Sequence, residues 1–271
     1  MTVREALAEA TAELAQAGVP SPAVDAEWLL AHVLGVRRSE LHGAELDGRL
    51  DDFRTLVRRR AERELLAYIL GEWDFRGLTL VVDPRVLIPR PETEVVVERC
   101  LARIGEAKEP AILDIGVGSG AIALALAHER PDARVVATDT SGAALEVAEE
   151  NRRRTGLEER VRFVHGDLLA GEAGPFDLVV SNPPYVRPDE LEALEPELRH
   201  EPAEALVGVG RHHAVAQAAA PVILPGGSLV LEVGDDQACD VAPLLIALGY
   251  TDVKLSEDLA GRQRIVDGVR R

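Results

Sequence analysis

An apolar stretch, Ala111-Ile112-Leu113-Asp114-Ile115, runs straight into Gly116-Val117-Gly118-Ser119-Gly120 and then into the helix-forming run Ala121 to Ala127. That order constrains the fold more than any other feature of the chain. Glycines at a strand-to-helix turn tolerate positive φ and leave no Cβ between the backbone and a ligand. The helix that follows presents free N–H groups to a polar or anionic part of that ligand. Strand, glycine turn and helix form the opening unit of an open α/β sheet, with the ligand expected at the carboxyl ends of the strands.

The rest of the chain agrees with such a sheet. Strands are expected at Ala111–Ile115, Arg134–Thr138, Val161–His165, Asp177–Ser181 and Ser228–Val233, with short ones near Thr251–Leu255 and Arg264–Asp267. Helical patterns lie between them, around 119–129, 141–154, 189–199 and 211–220. Alternation of this kind implies a mainly parallel sheet covered on both faces. Residues 1–70 instead read as helix after helix, ending at Gly18 and Gly35, with a third helix from Asp51 to Tyr68. Residues 71–90 carry Trp73, Phe75, Leu78, Leu80 and Val82 around an Arg-Gly turn, the pattern of a β-hairpin linker. Pro91 then opens a helix, with Glu92 and Glu94 at its positive end. The expected organisation is a helical docking domain at 1–70, the hairpin at 71–90 and a catalytic α/β domain at 91–271.

Charge narrows the partners. The chain has 30 Lys and Arg against 47 Asp and Glu, a formal charge of −17. So acidic a surface repels phosphate backbones and anionic membranes, so no direct nucleic acid partner is expected. Cys100 and Cys239 make no metal or redox motif, and the N-terminus carries acids early, unlike a signal peptide. No apolar run approaches the roughly 20 residues that span a bilayer. A cytoplasmic, soluble monomer is the expectation. His212 and His213 are adjacent and face different sides of a helix, so no metal site is expected.

The candidate cofactor site is the loop from Asp114 through Gly116, Val117, Gly118, Ser119 and Gly120, together with Asp139 at the end of the next strand. A carboxylate at Asp139 accepts both hydroxyls of a ribose. Asp114 can fix the loop or receive a ligand ammonium. Asp167 and Leu168 follow the third strand, where an adenine would lie; Asp167 reads equally as a helix cap. Gly116-x-Gly118-x-x-Ala121 satisfies a dinucleotide and a methyl-donor fingerprint alike, which leaves NAD and S-adenosylmethionine both open.

Asn182-Pro183-Pro184-Tyr185, closing the fourth strand, separates them. Two prolines stiffen the backbone and end the strand ladder, so carbonyls at this corner look for donors. Asn182 adds a side-chain carbonyl and Tyr185 a flat aromatic face. Together they form a receptor for a planar NH2 group, opposite a nucleoside site that Asn182 also borders. An amide nitrogen is a poor nucleophile, and acceptors placed off its plane favour both its pyramidalisation and its developing charge. Hydride transfer has no use for such a receptor, so S-adenosylmethionine is the cofactor expected. A flipped adenine or cytosine in DNA would suit the same receptor, and a non-catalytic nucleotide-binding module remains if the tetrapeptide is only a turn.

These motifs resemble the amino-methylating class I methyltransferases. Further segments narrow the resemblance: Ile88-Pro89-Arg90-Pro91-Glu92-Thr93-Glu94, Ala67-Tyr68-Ile69-Leu70-Gly71, Glu201-Pro202, and Ala260-Gly261-Arg262 with Arg264. Nearly the whole chain is similar to the peptide chain release factor glutamine methyltransferases (the HemK/PrmC family). The resemblance implies a Rossmann-like class I methyltransferase domain with a small N-terminal helical domain joined by a hairpin. It implies methyl transfer from S-adenosylmethionine to the glutamine amide of the Gly-Gly-Gln loop of release factors, with the helical domain helping to dock that partner. It assigns Gly116, Gly118, Gly120, Asp139, Asp167 and Leu168 to the cofactor, and Asn182, Pro183, Pro184 and Tyr185 to the glutamine. Two departures stand out: Val117 where the family usually has Thr, and the Gly208 to His213 stretch, which lacks the usual Asp-Gly-rich character.

Overall fold

The computed structural model describes residues 1–191 and 195–271, which divide into two units. The first holds residues Met1–Glu72 and the described part of Leu194–His200. Its helix α1 (Val3–Gln16) starts at a capping box, where Thr2 Oγ1 accepts the Glu5 N–H and the Glu5 carboxylate accepts the Thr2 N–H. Helix α2 (Pro22–Leu34) has its proline at the first position and ends at Gly35 with φ +66°. Leu14, Leu29, Leu30 and Phe53 fill the core of this unit.

The single helix expected from Asp51 to Tyr68 is two helices, α3 (Leu50–Ala61) and α4 (Leu66–Leu70). Arg63 adopts φ +67° and stops α3. The Glu64 N–H bonds the Arg59 carbonyl and the Arg63 N–H bonds the Arg60 carbonyl, the paired pattern of a Schellman end. Ion pairs hold this turn: Arg59 clasps Glu64, and Arg60 and Arg63 both bind the buried Glu197. The helix expected at 189–199 lies partly outside the described residues, and Pro196–His200 is a 3-10 turn rather than α-helix.

The second unit begins at Trp73, inside a hairpin of β1 (Glu72–Phe75) and β2 (Leu78–Val81), turned by Arg76 and Gly77 at φ +49° and +76°. Helix α5 (Pro91–Ile104) follows. Then come β3 (Ala111–Ile115), α6 (Ala121–Glu129), β4 (Arg134–Asp139), α7 (Gly142–Thr155), β5 (Val161–His165), β6 (Phe176–Ser181), α8 (Ala203–Leu206), α9 (Arg211–Ala219), β7 (Ile223–Glu232), α10 (Ala238–Ala247), β8 (Tyr250–Glu257) and β9 (Gln263–Arg270). The short α8 carries no signal that sequence patterning detects.

Seven strands form one sheet in the order β5-β4-β3-β6-β7-β9-β8. β3 through β7 run parallel, and β9 is antiparallel to both β7 and β8. Chain direction reverses its progress across the sheet between β3 and β6, the switch point where open α/β sheets bind ligands. Helix α5 is fastened to β9 by Asp267, a fully buried carboxylate that accepts from Arg99 and Arg103 on successive turns. Among the described residues, no helix is long and apolar enough to cross a membrane.

Candidate active site

Register alone brings the two informative sequence motifs together. Ile115 pairs with Ser181, so the glycine loop after β3 and the Asn182 corner after β6 leave the sheet side by side. The Ser181 hydroxyl donates to the Ile115 carbonyl at 2.6 Å and ties the two strand ends. Above them lies a cavity of about 450 Å³, bounded by Gly116–Ser119, Asp139, Asp167, Leu168 and Asn182–Pro184.

Gly116 and Gly118 have φ +84° and +53°, and a Cβ on either would meet no protein atom within 4 Å. Their bare faces border the cavity, the cradle that a ligand lying on the backbone requires. Gly120 is different: it does not line the cavity, and a Cβ there would lie 2.9 Å from Leu124 Cδ1. Its glycine serves the close packing of α6. Val117 and Ser119 line the cavity while largely buried, and the Val117 N–H donates to the Thr138 carbonyl at 3.0 Å.

Asp139 stands at the cavity wall. Its Oδ2 accepts the Gly118 N–H at 2.9 Å and its Oδ1 accepts the Ser141 N–H at 2.8 Å. Each oxygen keeps a further lone pair for a ligand hydroxyl. Asp114 is fully buried behind the loop, does not border the cavity, and neither of its oxygens has a hydrogen-bond partner in the protein. Burial pushes its carboxyl up to about 8.

Asp167 caps no helix. Leu168 and Ala170 turn the chain at φ +49° and +47°, and Asp167 Oδ1 instead accepts the Leu168 N–H and the Arg211 guanidinium, at 2.9 and 2.6 Å. The Arg211 guanidinium holds the Asp167 carboxyl below the usual carboxylate range. The Leu168 carbonyl accepts the Thr138 hydroxyl at 2.6 Å, which fixes Leu168 on the cavity wall.

Asn182, Pro183 and Pro184 line the cavity, and Tyr185 does not. The Tyr185 ring lies along His212, 6.3 Å between centroids and 17° between planes, and its carbonyl accepts the Gln237 side chain at 2.9 Å. Burial pushes its phenol up to about 12, so it stays protonated at neutral pH. Tyr185 therefore buttresses the corner from behind. Gly208 does so from another side: a Cβ there would fall 2.4 Å from the Pro184 carbonyl oxygen. The divergent 208–213 segment thus supplies Arg211 to the cavity wall, and Gly208 and His212 pack behind the corner against Pro184 and Tyr185. Among the described residues no cluster of His, Cys, Asp and Glu is fit to hold a metal.

Comparison with known proteins gives this geometry a lineage. A family model for the PrmC N-terminal domain matches residues 5–71, and one for the methyltransferase small domain matches 93–223. The release factor glutamine methyltransferase of Deinococcus radiodurans is 42% identical over 98% of this chain and 98% of its own length. That of Moorella thermoacetica is 43% identical over 100% and 99%. This chain belongs to the release factor glutamine methyltransferase family. The solved methyltransferase of Pyrococcus furiosus, 19% identical with a TM-score of 0.54 over 81% of this chain and 98% of its own, shares the fold.

Segments that mark the release factor glutamine methyltransferase family meet in space. Glu201 accepts the Ile88 N–H at 2.9 Å and pairs with Arg90, joining two segments more than a hundred residues apart. Glu92 of α5 pairs with Arg262 at 3.3 Å. Glu92 and Glu94 do not line the cavity, whereas Arg90 and Thr93 do. Sequence reasoning did not single out Thr93 or Arg211, which line the cavity, or Gly208, which packs against Pro184, because the contacts that place them are made with residues distant in the chain.

Proposed function

We propose that this chain moves a methyl group from S-adenosylmethionine to the side-chain amide nitrogen of the glutamine in the Gly-Gly-Gln loop of peptide chain release factors. One observation carries the reading: the bare glycine backbone, the Asp139 carboxylate and the Asn182-Pro183-Pro184 corner share one cavity. The cavity residues fit the donor. The Gly116–Ser119 backbone would hold its amino-acid part, Asp139 its ribose hydroxyls, and Asp167 with Leu168 its adenine. When bound, the donor supplies a methyl group on a positively charged sulfur.

The protein's own part is positional and electrostatic. Asn182 Oδ1 and the Pro183 carbonyl accept the two hydrogens of the glutamine amide and hold its nitrogen in line. Fixed acceptors favour the charge that grows on that nitrogen and need not reorganise as it grows. Pro183 and Pro184 deny the corner the freedom to turn away. No strong base is required, since the nitrogen becomes acidic only after methyl transfer.

The formal charge of −17 and the full-length likeness to relatives named for release factors favour a protein substrate over duplex DNA. We take the enzyme to act in the cytoplasm, as a monomer and without direct nucleic acid contact. Incubation with labelled S-adenosylmethionine and either a release factor or a DNA oligonucleotide tests this. Label should enter the release factor alone, and a Gln→Glu change in its Gly-Gly-Gln loop should abolish incorporation. Label in the oligonucleotide, or in neither, overturns the reading.

A further inference from the structure

Asn182 can serve as an acceptor only if its amide is turned the right way round. Its side chain has a donor end and an acceptor end of nearly equal size, and presenting NH2 to the glutamine would repel the substrate's own N–H groups. Something in the protein must choose between the two orientations.

The choice is made on the far side of Asn182. Thr93 Oγ1 donates its one proton to Glu232 Oε2 at 2.7 Å. Its remaining lone pairs can only accept, and Asn182 Nδ2 donates to them at 3.4 Å. Direction runs one way along this chain, from Asn182 through Thr93 to Glu232, leaving Asn182 Oδ1 for the cavity. Strand register explains why the groups meet: Ser181 pairs with Leu231, so Asn182 and Glu232 are neighbours at the ends of β6 and β7. Thr93 is added from the first turn of α5. Thr93 and Glu232 are 4% and 2% exposed, so water cannot substitute for either.

We propose that Thr93 and Glu232 are positioning residues that set the orientation of the Asn182 amide for methyl transfer, with Glu232 acting in its ionised form. The inference rests on the functional reading given above. An ionised carboxylate only accepts, which forces both neighbours to donate. A protonated one carries a hydrogen of its own, which can turn onto Thr93 Oγ1 and let the whole chain reverse.

Glu232 is placed to change state near neutrality. Burial raises its carboxyl to about 7, with Glu92 pushing the same way and Thr93, Arg264 and Asn182 opposing. Two further titratable groups lie close by. His212, whose Nε2 lies 2.8 Å from the Glu232 carbonyl, is held below its ordinary value by burial, and the Tyr185 phenol stays protonated.

Methylation of a release factor by the full-length enzyme, followed against pH, tests the proposal. The wild-type kcat should fall about tenfold per pH unit below about 7, and Glu232→Gln should run lower but lack that limb. Thr93→Val should lose about tenfold or more in kcat while the KM for S-adenosylmethionine moves less than about twofold, and Thr93→Ser should recover most of the loss. An acid limb kept by Glu232→Gln, or absent from wild type, overturns the inference. So does a Thr93→Val kcat within about twofold of wild type. An active wild type with such variants removes the inference alone. A wild type that leaves the release factor unmethylated removes the functional reading as well.

Discussion

Asp139 accepts the backbone N–H of Gly118 at 2.9 Å, so the carboxylate assigned to the ribose also shapes the loop beneath the rest of the ligand. One side chain thereby sets two walls of the cavity. Asp139→Ala should raise the Kd for S-adenosylmethionine at least tenfold. It should also cost about 1 kcal/mol or more of stability, because two part-buried N–H groups lose their carboxylate acceptor. Calorimetry gives the first and denaturant unfolding the second; an unchanged Kd would remove Asp139 from the ribose role.

Asn182→Ala separates binding from chemistry. It deletes the amide acceptor and leaves the glycine cradle and Asp139 in place. The expected outcome is a loss of about 10²-fold or more in kcat, the size seen when one preorganised polar group is removed, with cofactor affinity nearly unchanged. Equal losses in both measurements would show that Asn182 acts mainly on the cofactor.

Two glycines of the same loop should fail differently. Gly120→Ala places a methyl 2.9 Å from Leu124 at φ +89°, and about 1–3 kcal/mol of destabilisation should follow. Gly116→Ala meets no protein atom within 4 Å, so beyond its backbone strain the cost should fall on cofactor binding. Thermal melts with and without S-adenosylmethionine distinguish the two: the ligand should raise the Tm of Gly120→Ala but scarcely that of Gly116→Ala.

Asp114 makes stability depend on pH. Burial raises its carboxyl from the ordinary carboxylate range to about 8 in the fold. The folded state therefore holds a proton that the unfolded chain gives up. That contribution to stability is complete below about pH 4, drains away as pH rises, and is gone above about pH 8, at up to about 1.4 kcal/mol per pH unit. Asp114→Asn has no proton to lose. Its stability advantage over wild type should grow between pH 4 and pH 8 and then level off; parallel curves would rule this out.

How much of this was legible in the sequence follows from how far each cause reaches. The glycine loop, the seven strands and the two-residue hairpin turn are set by neighbours in the chain, and patterning finds them. The break after Ala61 is not, because Arg63 takes a left-handed conformation without being glycine, in a turn held by ion pairs to Glu64 and the distant Glu197. The cavity itself was readable from strand ends, yet its inner faces were not. Asp114, Gly120 and Tyr185 carry the right residue types but stand behind the wall. Thr93 sits in a segment recognised only by resemblance, and Glu232 in a strand that looked merely apolar.

The buried clamp of Asp267 by Arg99 and Arg103 reaches further than the packing it secures. Helix α5 bears that clamp in its later turns and Thr93 in its first, about 9 Å along the axis from Arg99 and about 15 Å from Arg103. The helix is thus a rigid lever with its fulcrum on β9, and the hydroxyl at its tip can be aimed no more accurately than the lever is bolted. A change that loosened the bolt would blunt methylation without touching a single atom of the cavity.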